Sequence, residues 1–132
     1  MKLFLGEYAH NVDERGRVML PRKIRTEIDE REIILAKGFE PCIFGYSKSA
    51  WEHESQKHLD TPVTDLEGRR VRRYMFAGAQ KAEIDKLGRI LLPAQLKEYA
   101  GCEGEVIIIG AGDHFEIWDD KTWKEYEKGM EQ

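Results

Sequence analysis

One short stretch of this chain occurs twice. Val12-Asp13-Glu14-Arg15-Gly16-Arg17-Val18-Met19-Leu20-Pro21 returns as Ile84-Asp85-Lys86-Leu87-Gly88-Arg89-Ile90-Leu91-Leu92-Pro93, displaced by 72 residues. The register runs on without a gap: Gly6 aligns with Gly78, Ile24 with Leu96, Gly38 with Gly110, Tyr46 with Trp118 and Trp51 with Trp123. Internal repetition of this kind makes each copy one structural unit. A chain of 132 residues holds one compact domain or two small units sharing a core, and neither half is large enough to be comfortable alone.

Each copy reads in the same order. A mixed polar and apolar strand (Glu7 to Val12; Ala79 to Ile84) meets an Asp-x-x-Gly-Arg turn and leaves as a short apolar strand (Arg17 to Leu20; Arg89 to Leu92), which predicts a hairpin. Asp13, Gly16, Asp85, Gly88 and Arg89 are the turn-forming residues: the Asp accepts from following backbone N–H groups, Gly tolerates positive φ, and Arg can pair with the Asp. Pro21 and Pro93 open a brief helix with apolar residues four apart (Ile24 and Ile28; Leu96 and Ala100), and Gly101 stops the second one. Two further strands follow, Glu32 to Ala36 with Cys42 to Tyr46, and Glu105 to Ile109 with Phe115 to Trp118. Ser47 and Asp119 are equivalent N-cap residues of closing helices that Trp51 and Trp123 anchor. Between the copies, Thr64-Asp65-Leu66-Glu67 has the form of a capping box. It opens a helix carrying Arg69, Arg70, Arg72 and Arg73 on one side and Val71, Tyr74 and Met75 on the other.

Charge is unevenly distributed. The net charge of −4 gives no general signal of a nucleic-acid partner. From Asp13 to Arg25, however, five basic residues face two acidic ones, whereas from Asp113 to Gln132 three face seven. A chain polarised in this way can touch a polyanion with one edge and keep the other solvated. Catalysis has little support: His10, His53, His58 and His114 lack metal-ligand spacing, and no P-loop, dinucleotide or nucleophile-elbow pattern is present. Asp119 and Asp120 fall at a helix start, where capping explains them. Cys42 and Cys102 share no metal-type spacing and are expected to be small buried apolar groups. The first residues form no secretory signal and no apolar run reaches bilayer length, so the expected location is cytoplasmic.

The opening Phe4-Leu5-Gly6-Glu7-Tyr8, both Asp-x-x-Gly-Arg turns with their Leu-Pro exits, the central helix ending Phe76-Ala77-Gly78-Ala79, and the closing Phe115-Glu116-Ile117-Trp118 resemble the MraZ family over essentially the whole chain. The resemblance implies a mainly β fold with short helices. In it two tandem AbrB-like swapped-hairpin units interlock as an intramolecular pseudo-twofold β-barrel: repeat 1 over 5–47, connecting helices over 48–75, repeat 2 over 76–119 and a C-terminal helix over 120–132. It also implies a ring-like homo-oligomer, an octamer, associated with the nucleoid. Such a ring regulates the bacterial division and cell-wall gene cluster by binding repeated sites in double-stranded promoter DNA. No enzyme activity, cofactor, metal, membrane or small-molecule substrate is implied.

The candidate DNA contacts are Arg15 and Arg17, supported by Arg22, Lys23 and Arg25. The two turns differ at one telling position: Arg15 is matched by Leu87. An apolar residue there suits packing, whereas Arg15 beside Arg17 suits phosphate and base-edge contact from a narrow projection. The Arg69 to Arg73 cluster is assigned to a subunit interface in preference to DNA. The alternative for the whole chain is an oligomeric scaffold or antitoxin-like protein-binding module, which has no need of an arginine-rich first turn.

Overall fold

The two turns share one pattern of bonds to the backbone. In the computed structural model, which describes residues 2–130, the Asp13 carboxylate accepts from the backbone N–H groups of Arg15 and Arg17, both at 2.9 Å. Asp85 does the same for Leu87 and Arg89, at 2.9 and 2.8 Å. Gly16 and Gly88 take φ of 83° and 85°, a left-handed conformation that a side chain would strain.

In chain order the elements are β1 (Glu7–Asn11), β2 (Arg17–Met19), α1 (Arg22–Arg25), β3 (Glu32–Lys37), β4 (Ile43–Ser47) and α2 (Lys48–Leu59). After these come α3 (Leu66–Ala77), β5 (Gln80–Glu83), β6 (Arg89–Leu91), α4 (Ala94–Ala100), β7 (Glu105–Gly110), β8 (Phe115–Asp119) and α5 (Asp120–Met130). The strands on either side of a turn do not pair with each other along their length. The Asp13 N–H to Arg17 carbonyl bond at 2.8 Å and the Gly16 N–H to Asp13 carbonyl bond at 3.0 Å close the first turn, and the equivalent bonds at Asp85, Arg89 and Gly88 close the second. Beyond these bonds the arms separate into different sheets.

Each arm pairs with the other repeat. β1 lies antiparallel on β7 with Tyr8 opposite Ile108, while β5 lies on β3 with Ile33 opposite Ala82. β2 and β6 form their own two-stranded ribbon, Val18 opposite Ile90. The large sheet therefore has the order β1-β7-β8-β4-β3-β5, with matching strands placed symmetrically about the β8–β4 pair. This is the interlocked, pseudo-twofold arrangement of two swapped hairpins. The expected closed barrel is not formed: β1 and β5 remain edges of an open six-stranded sheet, and the ribbon is a separate layer. The cause lies in the turns, which send β2 and β6 out of the main sheet.

The repeats are not in a single ungapped register either. Tyr8 opposes Ile108, whereas the equivalent pair in the other repeat joins Gln80 to Leu35, so β7 stands 73 residues beyond β3. Gly38 then corresponds to Ala111, not Gly110; the N–H groups of Gly38 and Ala111 donate to Cys42 and His114, at 2.9 and 2.8 Å. The extra residue enters because α4 is longer than α1 and ends on Gly101 at φ 66°. A shorter β7–β8 connection removes it again.

Both faces of the sheet are covered. Alternation along β3 sends Ile33 and Leu35 to one side and Ile34 to the other; β7 repeats this with Val106, Ile108 and Ile107. On the first side the sheet meets Val18, Leu20, Ile24, Ile90, Leu92 and Leu96 from the ribbon and the short helices, all essentially inaccessible. Full burial of each such side chain contributes about 1.5–3 kcal/mol. On the second side Ile34, Phe44, Tyr46 and Trp118 pack with Trp51 of α2 and Trp123 of α5. Ser47 caps α2 by accepting from the Ala50 N–H, and Asp119 accepts from Thr122 at the start of α5, as the sequence predicts. At α3 the cap is Asp65, which accepts from the Gly68 N–H at 2.7 Å, one residue later than a box beginning at Thr64. Cys42 and Cys102 are free, buried thiols; burial pushes the Cys102 thiol up to about 12.

His114 ties the β7–β8 connection to this second face. Its ring stacks on Tyr46 at 5.4 Å and lies 4.5 Å from Phe44. Nδ1 meets the Asp113 carboxylate at 2.8 Å and Nε2 meets Glu116 at 2.7 Å. Burial lowers the pKa of this imidazole, but hydrogen bonds and charge from Glu116 and Asp113 outweigh it and leave the pKa above its ordinary 6.5. A histidine with a raised folded-state pKa stabilises fully below 6.5 and loses that contribution as pH rises through the folded value. The urea midpoint is therefore expected to fall as pH rises above 6.5, and His114→Gln to flatten that slope. An unchanged slope in the variant would show that His114 is not its source.

Candidate nucleic-acid interface

The ribbon has one buried and one outward face. Val18 and Ile90 point into the core, so their neighbours Arg17, Met19, Arg89 and Leu91 point outward. Across the pair, Arg17 opposes Leu91 and Met19 opposes Arg89. The ribbon is clasped at both ends: the Leu20 N–H donates to the Gly88 carbonyl at 3.0 Å, and the Leu92 N–H donates to the Gly16 carbonyl at 2.9 Å. Each turn is thus held by the strand exit of the other repeat.

The candidate cations fall into two groups. Arg15 is exposed at the tip of the first turn and Arg17 is half-buried at the start of β2. Arg22 and Lys23 are exposed on α1. Among the described residues, none of these four side chains makes an ion pair or hydrogen bond within the chain. Arg25 behaves differently. Its guanidinium donates to the Met19 sulfur at 3.1 Å and lies against Gly88 of the second turn, where even a methyl group on that glycine would collide with it. It acts first as a clamp between repeats. Its pseudo-symmetric mate Lys97 reaches the first turn in the same manner, with Nζ 3.9 Å from where a Cβ on Gly16 would stand.

The equivalent arginines of the turns also differ. Arg89 donates from Nε to the Asp85 carboxylate at 3.0 Å, while the Arg17 guanidinium has no such bond to Asp13. Both aspartates titrate below their ordinary value, chiefly because the backbone N–H of Arg17 or Arg89 donates to the charged form. The second turn thereby neutralises its own arginine, and the first leaves Arg17 free beside Arg15. A shallow hollow between the turns brings Arg17, Arg31, Lys86 and Arg89 to one surface with Glu83, Asp85 and Leu91. Sequence proximity does not point to Arg31, Lys86 or Lys97: the interlock of the repeats sets Arg31 and Lys86 on one hollow with Arg17, and Lys97 beside Gly16.

The central arginines have intrachain work. Arg72 donates to the carbonyls of Leu59 and Thr61, and Arg69 to that of Val63, so both hold the end of α2 and the loop after it. Arg70 pairs with Glu67 at 3.0 Å. His10, His53, His58 and His114 remain apart, and among the described residues no group of His, Cys, Asp and Glu is placed to hold a metal ion. No helix among them is long and apolar enough to cross a membrane.

The two-repeat geometry has a direct counterpart in comparison with known proteins. The family model described as MraZ protein, with an antitoxin-like label, matches twice, over residues 3–74 and 75–132. This chain belongs to the MraZ family. Relatives named Transcriptional regulator MraZ are 45% identical in Acetivibrio thermocellus over 94% of this chain and 86% of the relative. In Caldicellulosiruptor bescii the identity is 46% over 92% and 84%, and in Caldanaerobacter subterraneus subsp. tengcongensis it is 40% over 98% and 90%. The boundary between the two MraZ matches falls inside α3, the helix that carries the chain from one repeat to the next.

The unequal bonding of the two MraZ turns has a measurable consequence. Arg17→Ala removes no intrachain side-chain bond and is expected to change stability by less than about 0.5 kcal/mol. Arg89→Ala breaks the half-exposed pair with Asp85 and is expected to cost about 0.5–1 kcal/mol. Urea titration of the two variants checks this, and an Arg17→Ala protein less stable than Arg89→Ala would reverse the assignment.

Proposed function

We propose that this MraZ-family chain is a DNA-binding transcriptional regulator that reads promoter DNA with the first-repeat turn. The observation that carries the reading is the pair of unpaired guanidinium side chains, Arg15 and Arg17, on a turn whose counterpart has Leu87 and a self-neutralised Arg89. A two-stranded ribbon fits the major groove, and arginine is the side chain best suited to bidentate contact with guanine O6 and N7. Arg22 and Lys23 lie just beyond β2 and supply phosphate contacts, with Arg25 adding field while it clamps the second turn. The relatives' names support the regulatory role. Family membership supports the finer one, control of the division and cell-wall gene cluster from repeated promoter sites in the nucleoid.

The working form is a ring-like homo-oligomer, an octamer by resemblance, that sets first turns on successive DNA repeats. One surface suits a subunit contact: Phe39 is 66% exposed, stacks on Tyr74 and borders Val71 and Arg70. An exposed, mainly apolar patch of this kind suits contact with a second copy of the chain. Light scattering at micromolar concentration is expected to report a multimer, and a monomer would remove this part of the proposal.

The test of the DNA role is fluorescence anisotropy on duplexes from the region upstream of the division cluster. Arg15→Ala is expected to lose about 1–3 kcal/mol of binding and to relax sequence preference. Lys23→Ala should weaken all sequences alike. With four subunits each placing about three cations on phosphates, log K should fall against log salt with a slope on the order of −11. Wild-type binding by an Arg15→Ala protein of unchanged oligomeric state would refute the reading.

A further inference from the structure

We infer that Leu91 reads a thymine methyl group next to the base pair contacted by Arg15 and Arg17. Leu91 belongs to the second repeat, yet it serves the first turn. It stands opposite Arg17 in the ribbon. Its Cδ1 lies 3.6 Å from where a Cβ on Gly16 would be, so its side chain overlies the first turn. It is nevertheless 53% exposed.

The pseudo-symmetric position is occupied quite differently. Met19 is covered by the Arg25 guanidinium, which also lies over Gly88. The Arg25 guanidinium thus lies over Met19 in the ribbon, whereas Leu91, opposite Arg17, stays open beside a first turn that Lys97 approaches less closely. Packing gives no reason for that exposure, since the core beneath is already filled by Val18 and Ile90.

The surroundings select the occupant. Arg17, Arg31, Lys86 and Arg89 share the hollow with Leu91 against only Glu83 and Asp85. A partner here is a polyanion that also presents a small apolar group. The thymine C5-methyl is that group on the major-groove edge of DNA. The inference rests on the first turn being the DNA-reading element.

Duplexes selected by the wild-type protein from a random pool provide the probe, with deoxyuridine replacing each thymine in turn. Removal of one contacted methyl is expected to weaken wild-type binding about fourfold at one position. Leu91→Ala should bind the thymine and deoxyuridine duplexes alike, while Leu87→Ala, altered at the other turn, should keep the wild-type difference. Wild-type indifference at every thymine would overturn the proposal. So would a Leu91→Ala protein that keeps the preference; with an altered assembly mass, that result assigns the leucine to a subunit contact. Arg15→Ala separates the two readings. If it weakens binding while Leu91→Ala keeps the thymine preference, only the leucine assignment fails; if it binds like wild type, the first-turn reading itself fails.

Discussion

Two backbone hydrogen bonds, Leu20 N–H to Gly88 carbonyl and Leu92 N–H to Gly16 carbonyl, organise the rest of the molecule. They require each turn to reach the strand exit of the other repeat, which is possible only if β1 crosses to β7 and β5 to β3. That crossing closes the core. Val18, Leu20, Ile90 and Leu92 are then pressed onto one face of the sheet, and neither repeat retains a complete core of its own. The glycines follow from the same geometry: a side chain at Gly88 would meet the Arg25 guanidinium, and one at Gly45 would meet the Phe115 ring.

Much of this is legible in the residues. The repeat marks two equivalent units, and the Asp-x-x-Gly-Arg pattern specifies a turn whose bonds occur as expected at Asp13 and Asp85. Ser47, Asp119 and Gly101 act as the caps and stop that their chemistry predicts. Periodicity does not say which partner a strand takes, so the hairpin arms read as mutual partners when they pair across repeats. A one-residue shift in β7 is also invisible, because Gly38 and Gly110 still align as glycines while the compensating change sits in a loop. The open sheet in place of a barrel is a property of pairing, and no single strand encodes it.

The site was half legible for the same reason. Arg15, Arg17, Arg22 and Lys23 are local in sequence, and their side chains are free in the fold. Arg25 was grouped with them by proximity in the chain, but its bond to Met19 and contact with Gly88 give it a clamping duty. Arg31, Lys86, Lys97 and Leu91 join the surface only through the interlock. Arg69 and Arg72 carry a duty that charge patterning does not show: both guanidinium groups donate to the chain's own carbonyls.

Pseudo-symmetry builds two turns, and a few side chains make them unequal: Arg15 against Leu87, a free Arg17 against a bonded Arg89, an open Leu91 against a covered Met19. The account holds that the fold needs both turns while DNA contact uses the first. Backbone hydrogen exchange, followed residue by residue with and without a bound duplex, tests this most directly. Slowed exchange at Glu14 to Arg17 that clearly exceeds any change at Lys86 to Arg89 is the predicted result; equal protection of the two turns, or stronger protection of the second, would contradict it.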